Sequence, residues 1–480
     1  MSDEMSQCWV PAKNHGLGVS SYQPLPLRAS AYALVSFTVL LVFVFAGGTA
    51  FSTYLAVAVV IAAAFVVRHS NRARPRSRLI TVFFWLAAAH AILGYWAAGP
   101  SDSRIWIGSN GEEMFRGALF VISATLLIAA FTYDIGLHFP PTKIQQFCLR
   151  LEVSRPRLIL MGRLFLLFGG VLAVYVSLAV GFMPLLASDP GLGRYFGSDL
   201  TERYQEFEWL MNLGLDMLTC SVPLILFHAW DHRSKTDWLL GLAGVCVVLI
   251  SLRRASLASG AVVVLLLFGF VKGRFLRRYL AYALLPVAAY FGSQLVFMNA
   301  IGVGADNQGV ISASLSGLPE VRDLGWTMSL SGEKRLYGST YATLIPLLGR
   351  VTEFKKHNSL TDVTSRLIGL EGMGATGGLR ITAGGEGFLN FGILGCLMVG
   401  LIFGGLCAFL SHLNEVLLRK RDLASSYLAA LFFVWVCFWF YLAGTEATGA
   451  IKNGLLFAFL MFYVARVKHM KQPVLATPRS

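Results

Sequence analysis

Charge is scarce in this chain. Only 14% of its 480 residues are Asp, Glu, Lys or Arg, and the acidic ones are the scarcer, 26 against 40 basic. No GxxxxGK[ST] loop occurs, which argues against direct ATP hydrolysis. No long polar segment stands between the apolar runs on the basic side, so a domain for a nucleotide sugar has no place there. HExxH and clustered histidines are missing, and no ligand set for metal hydrolysis is visible. The seven cysteines form no CxxC or Cys/His pattern, and five fall in apolar runs. Neither a disulfide framework nor a structural zinc site is expected.

What fills the chain instead is apolar. Hydrophobic residues make up 56% of it, and the mean hydropathy is +0.63. A water-soluble protein of this length cannot bury that much apolar surface, so the composition predicts a protein that crosses a membrane many times. A crossing helix needs roughly 20 predominantly apolar residues. Runs suited to that lie near 29–47, 49–67, 79–99, 114–134, 158–183, 209–229, 238–252, 256–271, 279–299, 387–410, 427–444 and 453–467. The expected fold is all-α, with about twelve transmembrane helices. Residues 1–28 are polar and mixed, without a signal-peptide layout, and predict a cytoplasmic tail ahead of an uncleaved anchor.

The net charge of +14 is read as topology. Segments 68–78 (RHSNRARPRSR), 143–157 (KIQQFCLRLEVSRPR), 272–278 (KGRFLRR), 419–421 (RKR) and 466–471 (RVKHMK) are strongly basic. Counted from a cytoplasmic amino terminus, all five fall on the cytoplasmic side, and both termini are cytoplasmic. The order along the chain is then a tail at 1–28, a bundle of about nine spans over 29–299, and a large outward loop over 300–386. Three further spans cover 387–467 and a second tail 468–480. A medium outward loop lies at 185–208. Within the large loop, SLTDVTSRLIGLEGM (359–373) spaces Leu360, Val363, Leu367 and Leu370 as a helix does, with Ser359 and Asp362 as a capping pair. Residues 338–351 offer a second short helix, interrupted by Pro346. A folded lid is expected there.

Three outward groups of residues carry chemistry. The turn SLRRASL (251–257) sets Arg253 and Arg254 at the outer membrane level. Paired guanidiniums hold a diphosphate with charge-assisted, bidentate hydrogen bonds, and lipid headgroups or helix carbonyls are alternative partners. The segment GLGRYFGSDLTERYQEFEW (191–209) brings Arg194 and Arg203 among acidic residues and aromatic rings, which serve either as flat faces for sugars or as an interfacial belt. The large loop supplies Arg366, Arg380, its only histidine His357, and Glu386, the last two being candidate bases. Asn390 follows Glu386 by one helical turn, in position to steady it. The glycines around Glu386 are expected to let backbone approach a substrate closely. Within spans, His90, Asn212 and Asp216 are polar residues that partners in the bundle would satisfy.

This layout resembles the Wzy-type polymerases of O-antigen and exopolysaccharide repeat units, within the superfamily they share with O-antigen ligases. As topology the resemblance covers the whole chain. Locally it rests on GEGFLNFGILG (385–395) and on SLRRASL (251–257), with support from two arginines followed at the eleventh residue by glycine, Arg203 with Gly214 and Arg366 with Gly377. The resemblance implies a GT-C-like bundle in the bacterial inner membrane with a periplasmic active site. It implies transfer of a glycan from one undecaprenyl diphosphate to a second lipid-linked repeat unit. The arginines, with Asn390, would bind the diphosphate end of the substrate, and Glu386 or His357 would take the proton. It further implies a chain-length regulator as partner, contact with membrane lipids, no nucleic acid and no cofactor; that no metal is needed is expected from the missing ligand cluster, a carboxylate pair being the alternative seat for a cation. A ligase passing glycan to the lipid A core, in which His357 would carry more weight, and a flippase or transporter of lipid-linked glycan are the alternatives.

Overall fold

A computed structural model of the chain describes residues 50–71, 77–97, 111–150, 152–181, 199–251, 254–272, 320–331, 336–342, 360, 363–364, 381–443 and 447–466. All of them lie in one compact unit, Gly48–Ser480. Among these residues the protein is helical and holds no β-strand; an isolated antiparallel bridge joins Val153 and Arg466. Seven of the described helices are long and apolar enough to cross a membrane.

The helices, in chain order, are α1 (Ala50–Ser70), α2 (Arg78–Ala97), α3 (Gly111–Gly136), α4 (Thr142–Arg150), α5 (Arg155–Val180), α6 (Asp199–His232), α7 (Lys235–Ile250) and α8 (Arg254–Lys272). After them come α9 (Glu320–Ser331), α10 (Ala383–Phe391), α11 (Ile393–Leu417), α12 (Leu423–Phe433) and α13 (Ala447–Ala465). The chain continues from α12 through a π-helical stretch, Val434–Phe440, into one last turn, Tyr441–Ala443. The expected spans 29–47 and 279–299 lie outside the described residues.

Several boundaries differ from the sequence expectation for identifiable reasons. The medium loop was expected to run to residue 208, but α6 is already helical from Asp199, because Thr201–Glu208 carries helix-compatible charged and aromatic residues whose polarity hid the helix. The basic segment 143–157 holds the short amphipathic helix α4, which packs Cys148 against Leu413, Val416, Leu417 and Ala429. The large loop contains α9, unforeseen, whose Val321, Leu324 and Thr327 are fully buried. One helical turn, Ser339–Ala342, is what is described of the expected 338–351 helix. Leu360, Val363 and Thr364 of the expected 359–373 helix are helical and buried.

Small residues set how closely the helices meet, as is usual where lipid offers no hydrophobic drive for association. Helices α3 and α11 run side by side in the same direction. Gly400 abuts Ile128, Gly404 abuts the Ala129 carbonyl, and Ala408 abuts Gly136. Gly169 of α5 faces Gly214 of α6, each leaving no room for a Cβ at the other's carbonyl. That crossing accounts for Gly214 without reference to a substrate, so the Arg203–Gly214 pairing adds no support to the resemblance.

The helix ends that flank the basic segments meet at one end of the bundle. There Ser70 donates to Asp134 (2.5 Å), Tyr133 donates to Asn71 (2.5 Å), and Ser77 pairs with Ser411. His412 contacts the Gly136 carbonyl (3.2 Å), and the Ser154 N–H donates to the Ala465 carbonyl (2.7 Å). Also at this end, Arg163 of α5 grips Asp237 of α7 with both arms, at 2.7 and 2.8 Å. His228 of α6 reaches the same carboxylate (3.0 Å), whose backbone N–H is capped by Ser234.

Candidate functional site

The stretch that carries the local resemblance, Gly385–Gly395, does not begin a single long helix. Thr382 caps α10, its side chain accepting from the Gly385 N–H (3.2 Å). The helix ends at Gly392, whose φ of 63° and ψ of −143° suit only glycine. Helix α11 then starts at Ile393, so the expected span 387–410 becomes a short helix, a break and a span at 393–417.

The break folds α10 back along the first turns of α11. Gly387 lies against Gly395, where a Cβ would stand 1.8 Å from the Gly387 carbonyl oxygen. The Cys396 thiol sits 3.8 Å from the Gly384 carbonyl. Gly384 and Gly400 both press on Thr125 of α3, which lies about 21 Å from the start of that helix at 1.5 Å per residue. Ile381, Thr382 and Ala383 are buried, and α10 runs from the depth of Thr125 back to the start of α11. Such a re-entrant segment survives in a bilayer only when protein covers it, as α3, α9 and α11 do here.

The glycines are thus spent on helix contacts. They were expected to let backbone approach a substrate, yet their Cβ positions are blocked by Thr125, Leu324, Ile381 and Gly395.

Glu386 occupies the first turn of α10 and is fully buried. Asn390 is fully buried as well, but its side chain bonds to the Glu386 backbone and to the loop instead of to the Glu386 carboxylate. Its Nδ2 donates to the Glu386 backbone carbonyl (2.9 Å) and to Thr340 Oγ1 (2.8 Å). Its Oδ1 accepts from the Gly338 N–H (2.9 Å). Asn390 is a clasp that holds loop residues 338–340 on α10, with its donors and its acceptor engaged inside the protein. The Leu336 N–H adds a bond to the Leu389 carbonyl (3.0 Å), and Gly338, at φ 84°, brings the loop over the Phe391 ring.

The clasp delivers Tyr341, which the sequence reading did not single out. Its ring lies parallel to that of Phe391, with centroids 6.1 Å apart. Its hydroxyl is buried and accepts or donates no hydrogen bond. Burial first, and then the neighbouring Glu386 carboxylate, push this phenol well above the ordinary tyrosine range. No sequence signal links Tyr341 to Glu386, since the two are brought together only by the loop's return.

Of the other expected site residues, His357, Arg253, Arg366 and Arg380 lie outside the described residues. Arg203 is placed on α6 and Arg254 at the first position of α8, their side chains not being described. Asp216 accepts from Asn453 of α13 (2.8 Å), a half-buried pairing between α6 and α13. Among the described residues, no three His, Cys, Asp or Glu side chains gather to hold a metal. No protein-family model matches the chain, and no curated protein or solved structure matches it either.

Proposed function

We propose that this protein is a polysaccharide repeat-unit polymerase of the Wzy type. In this reading it is a GT-C-like bundle of about twelve spans in a bacterial inner membrane, with both termini cytoplasmic and the α10 hairpin opening to the periplasm. The observation that carries the reading is the coincidence of two independent features. The stretch GEGFLNFG, which carries the resemblance, is also the stretch folded into the bundle with a fully buried carboxylate, Glu386. Buried ionisable groups at membrane depth are costly and kept where they have work to do.

The reaction joins the sugar hydroxyl of one lipid-linked repeat unit to the anomeric carbon of a glycan on a second undecaprenyl diphosphate. A carbon–oxygen bond to the acceptor forms while the bond to the diphosphate oxygen breaks. Glu386 takes the acceptor's proton, with His357 as the second candidate. Negative charge grows on the departing diphosphate, where Arg203, Arg253, Arg254, Arg366 and Arg380 would stabilise it more than they stabilise the bound substrate. The diphosphate bond supplies the energy, so no nucleotide is needed. A chain-length regulator and membrane lipids are the partners in this reading.

Deletion of the gene, followed by sizing of the cell's lipid-linked and surface glycans, tests it. Single repeat units on the core are expected. Uncapped core with intact lipid-linked polymer would instead assign a ligase, and lipid-linked units trapped on the cytoplasmic face a flippase.

A further inference from the structure

The segment between α3 and α5 carries a face that the rest of the bundle leaves uncovered. Helix α3 ends at Gly136, and Pro140 and Pro141 stop it from continuing, so α4 begins afresh at Thr142. Its inner side is fixed to α11. Cys148 packs on Leu413, Val416 and Leu417, and the Gln145 amide donates to the His412 carbonyl (3.5 Å). The outer side is apolar and open: Phe139 is 67% exposed, Phe147 58%, Leu149 53% and Ile144 43%. Lys143 and Arg150 are exposed as well, and they lie in line with Phe147 at the i, i+4, i+7 spacing that puts three residues on one helix face.

The height of α4 accounts for this face. Helices α3 and α5 are both long enough to span a bilayer, so the residues that join them, 137–154, stand at one membrane surface. The side chains that hold α4 belong to the last residues of α11, where that span ends too. Ile135, in the last turn of α3, is exposed, so the apolar outside of that span runs on into Phe139.

Charge selects the occupant. No acidic residue occurs between Asp134, which is buried and accepts from Ser70, and Glu152. Lys143 and Arg150 make no ion pair among the described residues. A second copy of this chain would bring the same positive charge to the contact. An anionic phospholipid brings both of the parts required, acyl chains for the apolar side chains and phosphate for the ammonium and the guanidinium.

We propose that α4 is an interfacial helix that binds anionic phospholipid. Lys143 and Arg150 hold headgroup phosphate, and Phe139, Ile144 and Phe147 sit among the upper acyl chains. The assignment is independent of the polymerase reading and needs only that α3, α5 and α11 cross the bilayer.

The test uses the purified full chain in neutral detergent and phosphatidylglycerol with a photoactivatable acyl chain, the adducts being mapped by mass spectrometry. Adducts are expected within 139–150. Excess phosphatidylglycerol should remove them, whereas phosphatidylcholine, a lipid without net charge, and glycerol phosphate, a phosphate without chains, should not. The double variant Lys143→Gln, Arg150→Gln should need about 25-fold more probe for half-labelling, at about fivefold per cation removed. Its thermal midpoint without lipid should match wild type, since neither side chain has an ion-pair partner to lose, and the exchange Lys143→Arg, Arg150→Lys should label as wild type does. Should the double variant unfold early, labelling of wild type in raised salt decides: a fall upholds the site and no change overturns it. Absence of adducts at 139–150, equal removal by phosphatidylcholine, or unchanged labelling of the double variant overturns the proposal. A wild-type dimer that the double variant dissolves overturns it as well and gives the face to a second copy.

Discussion

Asp237 and Glu386 are both carboxylates buried from solvent, and they stand in different settings. Around Asp237 three helices bring a two-armed arginine, a histidine and a capping serine, so that both oxygens are held by charge-assisted bonds. A carboxylate so enclosed has nothing left to offer a ligand; it fastens α5, α6 and α7 together. Glu386 sits in the first turn of a short helix folded into the bundle, where its backbone carbonyl accepts from Asn390 (2.9 Å). Burial alone therefore does not mark a reactive site. The distinction lies in what carries the carboxylate: helices joined to one another by charge at Asp237, and at Glu386 a short helix held by Asn390 to loop residues 338–340.

Four substitutions press on this comparison. The largest effect is expected at the hairpin that buries Glu386. Gly395→Ala places a Cβ 1.8 Å from the Gly387 carbonyl oxygen, so α10 must separate from α11 at a cost of about 3 kcal/mol. Loss of monodisperse protein on size exclusion, or a thermal midpoint far below wild type, checks it. Asp237→Ala comes next. It strands Arg163 and His228, and because Arg163 is 39% exposed the loss should be about 2–3 kcal/mol, below that of a wholly buried pair. Thermal unfolding in detergent reads this, and chain lengthening per folded molecule should stay as in wild type.

Asn390→Ala removes the clasp and leaves the Gly338 N–H without its acceptor, costing about 1–3 kcal/mol. Limited proteolysis is expected to cut within 336–342 sooner than in wild type. The smallest effect on stability belongs to Glu386→Gln, at about 1 kcal/mol for a replacement of the same shape. Its effect on turnover should be the largest of the four, a loss of about a hundredfold or more. Full turnover by Glu386→Gln would move the proton to His357 and erase the functional half of the comparison.

Much of the architecture was legible along the chain. Hydropathy is a local property, and ten of the twelve expected spans overlap described helices, of which seven are long and apolar enough to cross a membrane. Helix α6 was read short at its start because Glu202, Glu206 and Glu208 interrupt the apolar signal that a span requires. The hairpin was missed for a different reason. Gly387 and Leu389 continue smoothly into the apolar run of α11, and a glycine such as Gly392 gives no sign in hydropathy that the helix reverses there. Glu386 and Asn390 were picked out because they are polar at the edge of an apolar run. Tyr341 was not, because nothing along the chain distinguishes it from the other loop aromatics.

The sequence by itself determined that this is a helical membrane protein, where its long apolar helices lie, and which of their ends carry the basic charge. These follow from composition and run length, which neighbouring residues along the chain decide. Only the tertiary structure decided that α10 turns back into the bundle, that Arg163 meets Asp237, and that Tyr341 stacks on Phe391. Helices that are apolar on every face carry no stripe to say which side will meet which neighbour. The choice is made by small residues that allow two backbones to touch and by polar groups that must find partners away from water, and both are properties of pairs distant in the chain.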